Sequence, residues 1–352
     1  MKEIKAKNYS IFFGINGYDK LLEYIKVNNY SKIFIHLDSN TNKLCLNVFL
    51  KQFKEIDFEK LVSRPGEENK NIESCLLLWN NLSEHSGDRK SLIINLGGGV
   101  VGDMGGFIAS TFKRGIDYVN IPTTLLSMVD ASVGGKTGID LGVLKNQVGT
   151  FYDPKMVIID PLYLNTLEYS EILSGYAEIF KHSIISDLIF FDKLNSYNEN
   201  LDFKNIDLIK ASIEIKNRIV LLDPKEENER KALNFGHTLG HSIESFFLKS
   251  KNRLLHGEAI AIGMILASYI SHKSLGFSIK DVEKIKQHIL KIYKKISFTN
   301  NNVQDIINLL VHDKKNSHGK INFVLIKKIG KPVYDIEVRN ETIIDAFNYY
   351  SY

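Results

Sequence analysis

The six residues Ser91-Leu-Ile-Ile-Asn-Leu96 run without a break into Gly97, Gly98 and Gly99. A short apolar run of this kind reads as a strand, and a strand that turns through glycines into a helical stretch is the βα unit of a parallel sheet. Sheets built that way bind ligands at the carboxyl ends of their strands. Lys32-Ile-Phe-Ile-His-Leu37, Tyr118-Val-Asn-Ile-Pro122 and Met156-Val-Ile-Ile-Asp160 are further strands, and residues 42–51 read as a helix. Beyond Pro161 apolar residues recur every three or four positions through residues 164–186, 206–222, 232–247, 257–275 and 281–293, so that half is predicted to be helical. One late run, Lys320 to Ile326, alternates like a strand or hairpin. The expected fold class is α/β: a Rossmann-like parallel-sheet domain over residues 1–160, followed by a mostly α-helical domain over residues 161–352.

Composition narrows the function. The 45 basic and 41 acidic residues leave a net charge of only +4, and the lysines are spread along the chain, which argues against nucleic acid as a partner. The longest apolar run, from Ala259 to Leu266, is too short to span a bilayer, and the lysine- and glutamate-rich start lacks a signal-peptide core. A cytoplasmic protein with no membrane association is expected. Cys45 and Cys75 are the only cysteines and form no CxxC pair, so any metal has to be held by histidine and carboxylate.

Two stretches carry chemistry. Gly97-Gly-Gly-Val-Val-Gly102 satisfies GxGxxG between a strand and a helix, where glycines admit a pyrophosphate to the backbone and the helix start offers unpaired N–H groups. A ligand-free βα turn gives the same pattern. Asp103 would repel a pyrophosphate, and suits a ribose or nicotinamide-side contact or a helix cap instead. In the segment Leu233 to His241, His237 and His241 stand four residues apart, on one face of a predicted helix. Such pairs are more often incidental than metal-binding, but two imidazoles joined by a distant carboxylate can hold a divalent ion.

Read together, Gly97 to Asp103, Thr111-Phe-Lys-Arg-Gly115, Ile121 to Gly138, Lys145-Asn146, Ser174-Gly-Tyr-Ala-Glu-Ile-Phe-Lys181, Arg230 to His241, Leu255-His-Gly-Glu258 and Asp313-Lys-Lys315 closely resemble the 3-dehydroquinate synthase family, in order and over nearly the whole chain. Departures such as Met104-Gly105 and Tyr176 remove no group with chemistry. The resemblance implies a lyase of the shikimate pathway, and so of aromatic amino acid biosynthesis. It would convert 3-deoxy-D-arabino-heptulosonate 7-phosphate to 3-dehydroquinate and phosphate, recycling NAD. It further implies a divalent metal, in this family usually zinc with cobalt as the alternative, and a homodimer.

By the same resemblance, NAD would lie over Gly98, Gly99, Val100 and Asp103, with Asp38, Glu67 and Lys70 on the adenosine side and Thr123, Thr124, Thr166 and Leu167 as further contacts. The metal would take Glu178, His237 and His256, leaving His241 to the substrate. Arg114, Lys136, Lys181, Lys216, Arg230 and Lys314 would serve the phosphate and carboxylate with Asn146 and Asn234 as neutral partners. Asp130 would orient a lysine or hydroxyl, and both Lys136 and Lys145 would meet substrate and nicotinamide. The competing readings are a 2-deoxy-scyllo-inosose or valiolone-type cyclase, a metal-dependent polyol dehydrogenase, and a nucleotide-binding module without catalysis.

Overall fold

A computed structural model of the chain describes residues 3–53, 56–142, 144–196, 202–248, 250, 253–310 and 321–352. The chain divides into two units, Met1–Glu168 with Lys204–Asn217, and Tyr169–Phe203 with Arg218–Tyr352. In chain order the first unit holds β1 (Glu3–Lys5), β2 (Ser10–Phe13), α1 (Ile15–Asn28), β3 (Lys32–Asp38), α2 (Ser39–Leu44), α3 (Leu46–Gln52), β4 (Glu59–Ser63), α4 (Ile72–Glu84), β5 (Ser91–Gly97), α5 (Gly99–Thr111), β6 (Asp117–Pro122), β7 (Lys136–Leu141), β8 (Leu144–Phe151) and β9 (Met156–Ile159). Seven strands form one sheet in the order β1-β2-β9-β6-β5-β3-β4. Only the β1–β2 pair is antiparallel.

The opening strand is confirmed: every residue of β5 is buried, as a central strand covered on both faces must be. Ile93 shares one buried core cluster with Phe34, Leu78, Met104, Phe107, Ile108 and Tyr118. After β3 the chain moves outward to β4, then returns to the other flank of β3 as β5 and continues through β6 to β9. The strand order therefore reverses between β3 and β5, and the crevice beyond their carboxyl ends is where such sheets bind ligands. Asp38 closes β3, and Gly97 closes β5, at that point.

The helix expected over residues 42–51 is instead two short ones broken at Cys45. Asp38 starts the first of them through a capping box with Thr41, which the apolar spacing does not reveal. β7 and β8 pair as a hairpin outside the main sheet, and neither they nor β1, β2 and β4 are among the strands expected from the sequence.

The second unit holds α6 (Tyr169–Ser186), α7 (Leu188–Ser196), the end of α8 (Ile206–Leu222), α9 (His237–Phe247), α10 (His256–Leu275), α11 (Ile279–Ile292), α12 (Asn300–Leu310), the hairpin β10 (Asn322–Lys328) and β11 (Lys331–Glu337), and α13 (Asn340–Ser351). The predicted helix over 164–186 begins only at Tyr169, after a 3-10 turn that Pro161 opens. That over 232–247 is interrupted at Gly236, whose backbone is left-handed (φ 79°) and caps α9. α10 is the buried centre of this unit, apolar on all sides from Ala259 to Ala267. Among the described residues no helix is long and apolar enough to cross a membrane.

Candidate active site

In the first unit the glycine turn behaves as its sequence suggests. α5 starts at Gly99, Gly98 is its N-cap, and no side chain caps it, which leaves its first N–H groups available to an anion. Asp103 does not cap the helix. Its carboxylate takes the Lys70 ammonium at 2.6 Å, and the same ammonium donates to the Asn146 side-chain oxygen at 2.6 Å. Glu67 lies 4.0 Å from Lys70 and 3.9 Å from Lys145, drawing four predicted residues from three segments into one cluster around Lys70. Lys70 is only 3% exposed. Burial works against its charge, but the carboxylates of Asp103 and Glu67 outweigh burial and hold its pKa above the ordinary lysine value. Burial also pushes the Asp103 carboxyl above its ordinary range, against the pull of Lys70. Asn146 has a left-handed backbone (φ 52°) and donates its N–H to Asp140 at 2.6 Å, an unfavourable conformation of the kind that collects at functional sites.

The remaining predicted residues of this unit fall into three places. Thr123 follows β6 and bonds through its N–H to the Gly97 carbonyl at 3.0 Å, tying the glycine turn to the neighbouring strand. Thr124 accepts the Ser127 N–H at 3.2 Å and starts the turn that carries Asp130. That turn is π-helical from Ser127 to Ala131, and Asp130 meets the buried Lys216 of α8 at 2.7 Å. Thr166, just before Leu167, donates to the Tyr163 carbonyl, and its hydroxyl with that of Thr123 reaches Cys45. Burial pushes the Cys45 thiol up to about 11, so it is an inert packing group at physiological pH. Asp38 spends Oδ1 on the Thr41 N–H at 2.8 Å. Lys136 is exposed at the start of β7. Arg114 is exposed on a turn with a left-handed backbone (φ 70°), and no ion pair joins its guanidinium among the described residues.

In the second unit three helices bring the predicted metal ligands together. α6 supplies Glu178, α9 supplies His237 and α10 supplies His256. Two glycines make that approach possible. A Cβ on Gly257 would sit 2.1 Å from the Ser174 carbonyl oxygen, and one on Gly263 would sit 2.1 Å from that of Gly236. α10 therefore touches α6 and α9 backbone to backbone. Glu178 Oε1 lies 3.6 Å from His237 Nε2 and 3.9 Å from His256 Nε2. The carboxylate is fully buried, Lys181 pairs with its Oε2, and Oε1 has no hydrogen-bond donor.

The imidazoles are held from behind. His237 Nδ1 lies 3.2 Å from the Phe235 carbonyl, which can only accept, so Nδ1 carries the proton and the lone pair stands on Nε2. His256 Nδ1 meets the Glu244 carboxylate at 3.1 Å in the same sense. An orphaned buried carboxylate oxygen facing two Nε2 atoms fits a divalent metal of the zinc or cobalt type. Ring nitrogens of His237, His241 and His256 also fall within 4.8 Å of one another, so geometry adds His241 to the possible donors.

Arg230 is buried and donates to the Pro224 carbonyl at 2.7 Å, and Asn234 donates to Glu226, a residue with a left-handed backbone (φ 64°). Sequence reasoning missed Glu226 and Glu244. Glu244 had a usable signal, since His237, His241 and Glu244 stand at i, i+4 and i+7 on one face of α9. Glu226 had none. Lys314 lies outside the described residues.

Comparison with known proteins decides the family. Residues 60–174 match the family described as 3-dehydroquinate synthase N-terminal, and residues 175–316 the one described as 3-dehydroquinate synthase C-terminal. The chain belongs to the 3-dehydroquinate synthase family. A 3-dehydroquinate synthase of Thermoanaerobacter sp. (strain X514) is 44% identical over 352 residues, covering 97% of each chain. That of Parabacteroides distasonis is 40% identical over 335 residues, covering 94% of each. Among solved structures, a 2-deoxy-scyllo-inosose synthase complexed with carbaglucose-6-phosphate, NAD+ and Co2+ superposes with a TM-score of 0.85 at 23% identity, over 99% of both chains. That likeness establishes the shared fold.

Proposed function

We propose that this chain, whose activity is that of a 3-dehydroquinate synthase in the shikimate pathway, works with NAD on its first unit and a divalent metal on its second. The observation that carries this reading is Glu178, a fully buried carboxylate with one oxygen facing His237 and His256 and no donor to satisfy it. Glu178, His237 and His256 would hold zinc or cobalt, which supplies Lewis acidity for the charge that develops on oxygen during oxidation and elimination. NAD would sit at the β3–β5 crevice and supply reversible hydride acceptance, leaving no net redox change.

The protein's own groups perform the rest. The open start of α5 at Gly98, Gly99 and Val100 binds the pyrophosphate, while Asp38, Glu67 and Lys70 hold the adenosine side and Thr123, Thr124, Thr166 and Leu167 line the turn. Lys70 fixes the Asp103 carboxyl in place, where it can meet a ribose or nicotinamide-side group. Lys216, oriented by Asp130, and Arg230 and Lys181 in their buried places, supply fixed positive charge for a doubly anionic substrate bearing carboxylate and phosphate. Lys136, Lys145, Asn146, Asn234, His241, Arg114 and Lys314 complete the set. Lys216, Lys181 and Arg230, pinned by their neighbours before substrate arrives, cost little reorganisation on binding. In this reading the unit of Met1–Glu168 with Lys204–Asn217 binds the nucleotide and supplies some of the substrate's cations, and the unit of Tyr169–Phe203 with Arg218–Tyr352 holds the metal and the rest of the substrate site.

A homodimer belongs to the same reading, supported by the exposed apolar residues Leu141, Leu144, Val148 and Phe151 on the β7–β8 hairpin. So does a cytoplasmic location, where two free, buried cysteines are at home. Chelation should abolish turnover and zinc or cobalt restore it. Glu178→Gln should lower turnover by about 100-fold or more. Full activity in that variant would overturn the metal reading.

A further inference from the structure

Resting on the reading of Glu178, His237 and His256 as the metal ligands, we infer that Glu244 is a positioning residue that aims His256 at the metal and raises its basicity. Glu244 is 7% exposed and its carboxylate accepts from His256 Nδ1 at 3.1 Å, while the opposite nitrogen, Nε2, faces Glu178 Oε1 at 3.9 Å. Burying a carboxylate is costly unless it is paired, and here it is spent on the far side of a ligand imidazole rather than at the surface.

The two histidines differ in this respect. His237 donates its Nδ1–H to a neutral carbonyl two residues back in its own chain, whereas His256 is backed by a negative charge from another helix. The difference matches their positions. His237 is fixed by the Gly236–Gly263 backbone contact at the start of α9. His256 is the first residue of α10, with 28% of its side chain exposed, so its ring has more freedom and needs a partner to hold it. A carboxylate in that role sets the tautomer, fixes the ring plane and makes Nε2 a stronger donor. Its placement on α9 also couples the two helices that carry the imidazoles, since Glu244 and His237 share one helix.

The test is Co2+ binding by the full-length protein after removal of metal with a chelator, followed by the visible absorption of the bound ion. Glu244→Ala should weaken Co2+ binding by about 10- to 100-fold and shift the absorption envelope; Glu244→Gln, which keeps an acceptor but not the charge, should lose about 10-fold. Metal-free Glu244→Gln should unfold at the wild-type temperature, which separates ring positioning from a purely structural role. Wild-type affinity and spectrum in Glu244→Gln would overturn the inference, and would do so even if Glu244→Ala failed to fold. Failure of the underlying metal reading looks different: wild-type protein would bind no Co2+, or Glu178→Gln would bind it as tightly as wild type.

Discussion

At the scale of single residues, charges stand where water cannot solvate them. Lys70 is the clearest case in the first unit, an ammonium 3% exposed with Asp103 at 2.6 Å. Lys70→Met should cost about 3 kcal/mol in denaturant unfolding, because it strands a carboxylate, and adding Asp103→Asn should recover most of that. A single variant as stable as wild type would show the pair to be ornamental. In the second unit His241 brings a ring nitrogen within 4.8 Å of those of His237 and His256. If it faces substrate, as the family pattern implies, His241→Ala should leave Co2+ affinity within a few-fold of wild type while His237→Ala loses it; equal losses would make His241 a ligand.

At the scale of elements, α5 and the strands under it form one device. A chain of side chains crosses the sheet: Ser63 to His36 at 3.3 Å, His36 to Asn95 at 3.2 Å, and Asn95 to Asn120 at 2.9 Å. α5 lies directly on it, since a Cβ on Gly105 would fall 1.9 Å from Asn95 Oδ1 and 2.6 Å from His36 Nδ1. Gly105→Ala should therefore destabilise the first unit by about 1–3 kcal/mol and weaken NAD binding with it. Gly102→Ala, with nothing within 4 Å of its Cβ, should leave stability level or slightly higher and affect NAD alone. Burial lowers the His36 pKa to about 4, against the pull of Asn95, Asp38 and a backbone bond at Val101. Because the unfolded chain takes up this proton near pH 6.5 and the folded one only near pH 4, stability should fall as pH drops through that window, by about 3 kcal/mol at its lower end. Unfolding midpoints at pH 7 and pH 4.5 for wild type and His36→Gln check it, the variant losing much of the dependence. The β5–α5 unit was legible because glycine and apolar periodicity are local signals, and the strand from Lys32 was legible for the same reason. The two-helix break at Cys45 and the β7–β8 hairpin were not, since a capping box and a pairing outside the sheet are decided by partners rather than by period. The proposed metal ligands are legible only through family resemblance. The His237–His241 spacing alone left both rings as candidates, and says nothing of Glu178, which α10 brings near only through its backbone contacts.

At the scale of the whole molecule, the near-balance of 45 basic and 41 acidic residues gives no general positive field, so the proposed anion binding has to rest on particular buried cations. Sedimentation should show two chains per particle, and Leu144→Lys with Val148→Lys on the hairpin should shift it toward one; a wild-type monomer at working concentration would contradict the dimer. The activity is read out by giving the purified protein 3-deoxy-D-arabino-heptulosonate 7-phosphate, NAD and zinc while following phosphate and absorbance together. One phosphate should appear for each 3-dehydroquinate formed, with no net NADH; steady NADH accumulation, or no phosphate from this substrate while glucose 6-phosphate is cyclised, would contradict it.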